Sequence, residues 1–140
     1  PWWPHANPVD TVAAGFVTYP CLWPLIEDNN LDALIVVNTV ASPARMHEQI
    51  GDVPPSIRET ADEIFKVQEE EELEGLDKAF AYMDKHQKPL IISGAHTEGI
   101  KNSRTFKKLQ DNGILMYPTP ERAAKVLAHL ANYREYLDHC

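Results

Sequence analysis

The stretch Asp32-Ala-Leu-Ile-Val-Val-Asn38, running on into Thr39-Val-Ala-Ser42-Pro43, decides the fold class. Five apolar residues in a row from Ala33, three of them β-branched and closed by a polar residue, predict a strand buried on both faces. Strands of that kind form the middle of parallel sheets with helices on either side. The residues after it start a helix: Ser42 is a suitable N-cap, and Pro43 suits the first helical position because its missing N–H is not needed there. A central strand that feeds a helix N-terminus at its carboxyl end is where open α/β sheets place ligands. The partial positive charge and free N–H groups of that N-terminus favour an anion. Most strand-to-helix turns only reverse the chain, so the functional reading needs support from elsewhere.

Outward from this stretch, strands and helices alternate. Upstream, Asn7-Pro-Val-Asp10 leads into Gly15, with a short first strand possible around Val9. Thr18 to Asp28 has helical spacing at Leu22, Leu25 and Ile26, with either a late start near Cys21 or a kink at Pro24. Downstream, a short helix carries Met46 and Ile50 and stops at Gly51. Ser56-x-x-Glu59 reads as a capping box opening a long helical region to His86, with Ile57, Ala61, Ile64 and Phe65 on one face. Glu69-Glu-Glu-Glu72 reads as a solvated helix face or a bend, and Gly75 as a break between two helices. Lys88-Pro89 introduces Leu90-Ile-Ile92-Ser93, a second buried strand, followed by the loop Gly94 to Asn102. A helix with Phe106 and Leu109 stops at Asn112-Gly113. Ile114 to Tyr117 is the last strand, and Thr119-Pro120-Glu121 opens a final helix burying Ala123, Val126, Leu127, Leu130 and Leu137. The expected architecture is α/β: a three-layer parallel sheet with helices on both faces, right-handed crossovers and Ile35 to Val37 in its middle strand.

Composition narrows the function. One hundred and forty residues suit a single domain, 1–140. A net charge of −8, with 21 acidic against 13 basic side chains, argues against nucleic-acid and anionic-membrane partners, which need a positive footprint. No apolar run is long enough to span a bilayer. Pro1-Trp-Trp-Pro-His5 does not read as a signal or transit peptide, and a chain opening on Pro1 is expected to be a fragment of a longer multi-domain protein, with 1–6 as lead-in or linker. Cys21 and Cys140 make no metal spacing and no disulfide framework, which fits a cytoplasmic setting.

No stretch announces its chemistry. There is no Gly-rich phosphate loop and no nucleophile elbow. Asn38 stands where a phospho-receiver would need an acid. His96, beside Thr97 and Glu98 at a strand's carboxyl end, is placed where a general-base histidine can sit, or is simply a surface loop histidine. His5, His47, His86, His129 and His139 have no second ligand at metal spacing, so no metal site is expected.

The residues do resemble one family. Asn7-Pro-Val-Asp10, Asp32 to Asn38, Lys88-Pro89 before a strand, and Gly113-Ile114-x-x-Tyr117-x-Thr119-Pro120-Glu121-Arg122-Ala123 with Tyr133-Arg134 following look like one domain of the NDP-forming acyl-CoA synthetases. It is similar to the flavodoxin-like domain of succinyl-CoA synthetase that follows the phosphohistidine domain. The resemblance implies a flavodoxin-like fold and a share in a ligase that joins an organic acid to CoA with ATP or GTP, and Mg, through a phosphohistidine. CoA-binding, phosphohistidine and ATP-grasp domains would be its partners. The isolated chain would not be catalytic and would bind no cofactor alone.

Within that resemblance the helix after Asn38 points its N-terminus at the phosphohistidine's phosphate, which makes Thr39, Ser42 and Ala44 the anion-facing residues. Asn7, Asp10, Ser93, Gly94 and His96 are the loop candidates beside them. Members of the family usually carry glycines in that turn, where this chain has Ala41, Ser42 and Pro43. That departure favours a second reading, a non-catalytic interaction module that kept the fold. A small independent enzyme using His96 is a third.

Overall fold

The computed structural model describes residues 7–11 and 15–139. The Trp2-Trp3 lead-in and Cys140, and with it any Cys21–Cys140 pairing, lie outside the described residues. The elements are α1 (Gly15–Glu27), β1 (Leu34–Val37), α2 (Ser42–Gln49), α3 (Pro55–His86), β2 (Leu90–Ser93), α4 (Glu98–Asn102), α5 (Arg104–Asp111), β3 (Met116–Tyr117) and α6 (Pro120–Asp138). The three strands form one parallel sheet in the order β1-β2-β3, flanked by helices. Leu34 is paired with Leu90, Val37 with Ser93, and Ser93 in turn with Tyr117.

The middle strand is β2, not β1. All four residues of β2 are buried, whereas β1 lies at the edge of the described sheet and leaves Val37 42% exposed. Both runs are equally apolar, so periodicity could not rank them; only neighbours on both sides bury a strand twice. Side chains alternate across the sheet. Leu34, Val36, Leu90, Ile92 and Met116 join Leu22, Ile26, Leu76, Ala79, Ile100 and Leu109 in the main core. Ile91 and Ala123 are buried outside that cluster, and α6 touches all three strands.

Several local expectations change. No strand forms around Val9, which is 42% exposed. Helix α1 starts early, at Gly15, and runs through both Pro20 and Pro24, which lie exposed on its solvent side. Ser42 is the first helical residue of α2 rather than its cap; Ala41, in the left-handed region at φ 59°, precedes it with no side-chain cap. The Ser56–Glu59 box does not form: α3 starts at Pro55, and the Pro54 carbonyl accepts from Ile57 and Arg58 N–H at 3.0 Å each. Ile57 and Ile64 are about half exposed, so the face they share is not packed into the core. Strand β3 is only Met116–Tyr117, since Ile114 N–H is spent closing α5 on the Leu109 carbonyl. Helix α6 fully buries Ala123 alone, leaving Leu130 51% and Leu137 49% exposed.

Gly75 breaks nothing. Helix α3 is continuous through it, and a Cβ there would sit 2.7 Å from Tyr19 Cγ. The missing side chain is what lets the Tyr19 ring lie on the helix. Gly75→Ala therefore gains intrinsic helix propensity of up to about 1 kcal/mol but overpacks the α1–α3 contact, a cost of about 1–3 kcal/mol. The expected outcome in urea denaturation is a net loss of stability, with Tyr19→Leu in the same background recovering part of it.

Candidate functional site

The carboxyl ends of the strands leave the sheet side by side. Asn38 N–H donates to the Ser93 carbonyl at 2.8 Å, and Gly94 N–H donates to the Tyr117 carbonyl at 2.9 Å. This brings the Asn38–Ala41 turn and the Ser93–His96 loop together. A Cβ on Gly94 would stand 3.3 Å from Met116 Sδ and 3.9 Å from Asn38 Oδ1, so a bare backbone suits the crowded middle of the edge.

The sequence-predicted residues fall unequally around it. Thr39 is half-buried and its hydroxyl donates to the Val37 carbonyl at 3.2 Å. Ala44 is half-buried, in the first turn of α2. Gly94 is buried, and so is Ser93, whose Oγ has no hydrogen-bond partner. His96 is exposed, its ring edge-on to Phe106 of α5 at 6.2 Å. Asn7 and Asp10 are exposed, and the adjacent Thr11 hydroxyl meets the Thr18 hydroxyl of α1 at 3.0 Å, which ties this segment to α1.

Two residues at this edge escaped the sequence reading. Arg45 donates from Nη1 to the Asn38 carbonyl at 2.7 Å, which places a guanidinium at the end of β1. It is the one cation within the α2 sequence apart from a histidine, and nothing local marks it as turned back toward the Asn38 carbonyl. The other is Glu72. Far from lying on a solvated face, it is 1% exposed. Its Oε2 accepts from the Thr105 hydroxyl at 2.7 Å and its Oε1 from the Tyr19 hydroxyl at 3.3 Å. The backbone N–H groups of Ser42 and Ala41 also donate to it. The N-terminus of α2 thus already faces a carboxyl group, supplied from inside by α3. Ser42 N–H turns inward to it, and Pro43 has no N–H to turn outward.

The same device recurs nearby. Glu48 accepts from the Thr97 hydroxyl and from Gly99 N–H, the latter at 2.6 Å, at the start of α4; these bonds hold its carboxyl below the usual range. Glu69 accepts from Arg104 N–H at 3.1 Å, at the start of α5. Helix-start dipoles and acidic side chains are matched within the chain itself.

Burial pushes the Glu72 carboxyl up to about 7, against the pull of its donors, of which Thr105 is the largest. Tyr19 is raised well above 10, first by burial and then by the Glu72 charge. Because the folded-state value for Glu72 lies above its ordinary 4.5, its contribution to stability is complete below about 4.5 and is lost as pH rises through about 7. Lowering the pH from 8 to 5 is therefore expected to stabilise the fold by an amount on the order of 3 kcal/mol. Glu72→Gln is expected to flatten that rise, as read from urea midpoints across the window. Glu48 and Asp28, both held low, act only at more acidic pH.

Among the described residues no group of three or more His, Cys, Asp or Glu side chains is placed to hold a metal, and no helix is long and apolar enough to cross a membrane. No family model matches the chain, and neither does any curated protein or solved structure.

Proposed function

We propose that the chain is a flavodoxin-like domain of an NDP-forming acyl-CoA ligase of the succinyl-CoA-synthetase type, acting beside a phosphohistidine carried by another domain. The observation that carries this reading is the edge where the parallel strands end: the turn after β1 and the loop after β2 converge there, with Arg45 anchored on the Asn38 carbonyl. The parallel order β1-β2-β3, with helices between successive strands, supports the three-layer flavodoxin-like arrangement. The motifs quoted from the sequence fall on matching elements: Lys88-Pro89 directly precedes β2, and Thr119 caps α6 by accepting from Arg122 N–H at 3.3 Å.

In this reading CoA, ATP or GTP and Mg belong to the neighbouring domains of a cytoplasmic enzyme, and this domain contributes contacts rather than a reacting group. Recognition of the phosphate differs from a bare helix N-terminus. With Ala41 and Ser42 N–H committed to Glu72, charge comes from Arg45, with Ala44 N–H and Thr39 beside it. A guanidinium suits a phosphoryl group because its donors form a planar fork.

The Glu72 carboxylate also favours a second reading, an interaction module that kept the fold and filled its anion site. Phosphate titration followed by amide NMR separates the two. The ligase reading expects saturable shifts at Thr39, Ala44 and Arg45, at the millimolar strength of a single-site ion contact, on the order of 4 kcal/mol, and their loss in Arg45→Ala. Shifts scattered over the surface overturn it in favour of the module. Mixed with an organic acid, CoA, nucleotide and Mg, the chain alone is expected to form no thioester; turnover would count against both.

A further inference from the structure

Helix α2 is held to the body by polar contacts more than by apolar packing. Of its eight residues only Ser42 and Pro43 are buried, both in the turn whose Ser42 N–H donates to Glu72. By contrast, α1 puts Tyr19, Leu22 and Ile26 into the core, and α5 puts Leu109 there. Left-handed residues bound α2, Ala41 at φ 59° and Gly51 at φ 63°. A helix this short has too few internal hydrogen bonds to persist in water by itself. Its contacts with the body therefore decide whether it stays wound.

Three polar contacts make that attachment. Glu72 of α3 accepts from the Ala41 and Ser42 N–H groups. His47 Nε2 lies 2.9 Å from Asp62 Oδ1 of α3. Glu48 accepts from the Thr97 hydroxyl and Gly99 N–H at the start of α4. We propose that α2 is a proton-operated flap, closed while Glu72 and His47 hold their protons and released from the body, unwound, when they lose them.

The groups around Glu72 leave its charge without a counterion. It is faced by the Tyr19 hydroxyl from α1, the two amides from the start of α2 and the Thr105 hydroxyl from α5. Helix α1 carries no cation, and those of α2 and α5 with a recorded partner are turned elsewhere: Arg45 to the Asn38 carbonyl, Arg104 to Glu69 and Glu70 of α3, Lys108 to Asp77. Burial therefore outweighs the donors and pushes the carboxyl up to about 7. Once α2 is released, water reaches the carboxyl and its value falls back toward the ordinary 4.5. The released state binds this proton less tightly, so rising pH favours release.

The second contact acts in the same direction, because His47 and Asp62 are an ion pair only while the imidazole is protonated. The imidazole also faces the Phe65 ring of α3, edge-on at 5.8 Å, and the Glu48 charge beside it on α2. Glu48, held below the usual carboxylate range, keeps its charge from pH 5 to 8 and holds α2 equally throughout. On α4, Glu98 and Lys101 pair with each other.

The flap does not depend on the ligase reading, although Arg45 rides on α2 and moves with it. Amide exchange of the 140-residue chain, without phosphate, tests it by NMR at low urea concentrations between pH 5 and 8, corrected for the intrinsic exchange rate. The Arg45 and Ile50 amides, bonded to the Ala41 and Met46 carbonyls, are expected to exchange through an opening nearly insensitive to urea. Amides of β2 follow the steeper urea dependence of global unfolding. The α2 opening is expected to grow at least about tenfold from pH 5 to 8. Glu72→Gln removes most of that growth, and His47→Gln raises the opening at pH 5 while leaving it nearly as in wild type at pH 8. If Glu72→Gln does not fold, the wild-type profile and His47→Gln decide. Amides of α2 that share the urea dependence of β2 overturn the proposal. So does a urea-insensitive opening that is flat across the pH window or keeps its growth in Glu72→Gln.

Discussion

A single carboxylate fixes how the helices meet. Glu72 leaves water for a site where an unpaired charge would be prohibitive, and the fold answers by bringing donors to it from three other helices. Tyr19 comes from α1, the Ala41 and Ser42 amides from the start of α2, and Thr105 from α5. Each donor is useful only at hydrogen-bond distance, so the carboxylate sets the approach of all three to α3. Apolar packing of Leu76, Ala79 and Ile26 supplies the bulk attraction, which has no direction of its own. Glu72 supplies direction. Gly75, three residues on, completes the arrangement by letting the Tyr19 ring close enough to the helix for its hydroxyl to reach back.

This use of acid changes what the chain's negative charge means. Part of the excess carboxylate is structural: Glu72, Glu48 and Glu69 each face the start of another helix. The start of α2 faces a carboxyl group of the chain itself, so in the proposed reading an outside phosphate would be met by a side chain. Arg45 is the cation the proposed reading relies on there, and its bond to the Asn38 carbonyl holds it in place without neutralising it.

The parts legible in the sequence were those decided locally. Leu90 to Ser93 read as a buried strand because four apolar or small residues followed a Lys-Pro break, and it is one. Thr119 read as a cap because a hydroxyl ahead of a proline has few better uses, and it accepts from Arg122 N–H. What stayed hidden was decided by partners remote in the chain. Asp32 to Asn38 and Leu90 to Ser93 look alike until the sheet order gives one of them two neighbours. Glu72 is indistinguishable from Glu70 or Glu71 by any local rule; only Thr105 and Tyr19, 33 and 53 residues away, separate it from them. The 3.6-residue stripe of α6 was plain, but where the sheet beneath it ends was not. The carboxyl edge was legible as a place; its cation and its internal anion were not.

The placing of α2 and α3 between β1 and β2 bears on how the chain finds its fold. β1 and β2 end as neighbours yet start more than fifty residues apart, and no hairpin links any two of the described strands. Closing so long a loop before any reward arrives is entropically slow. A 32-residue helix is built almost wholly from contacts four residues apart, and once wound it converts most of that separation into a stiff rod whose far end lies beside the first strand's partner. A wound α3 thereby shortens the separation that β1 and β2 must close.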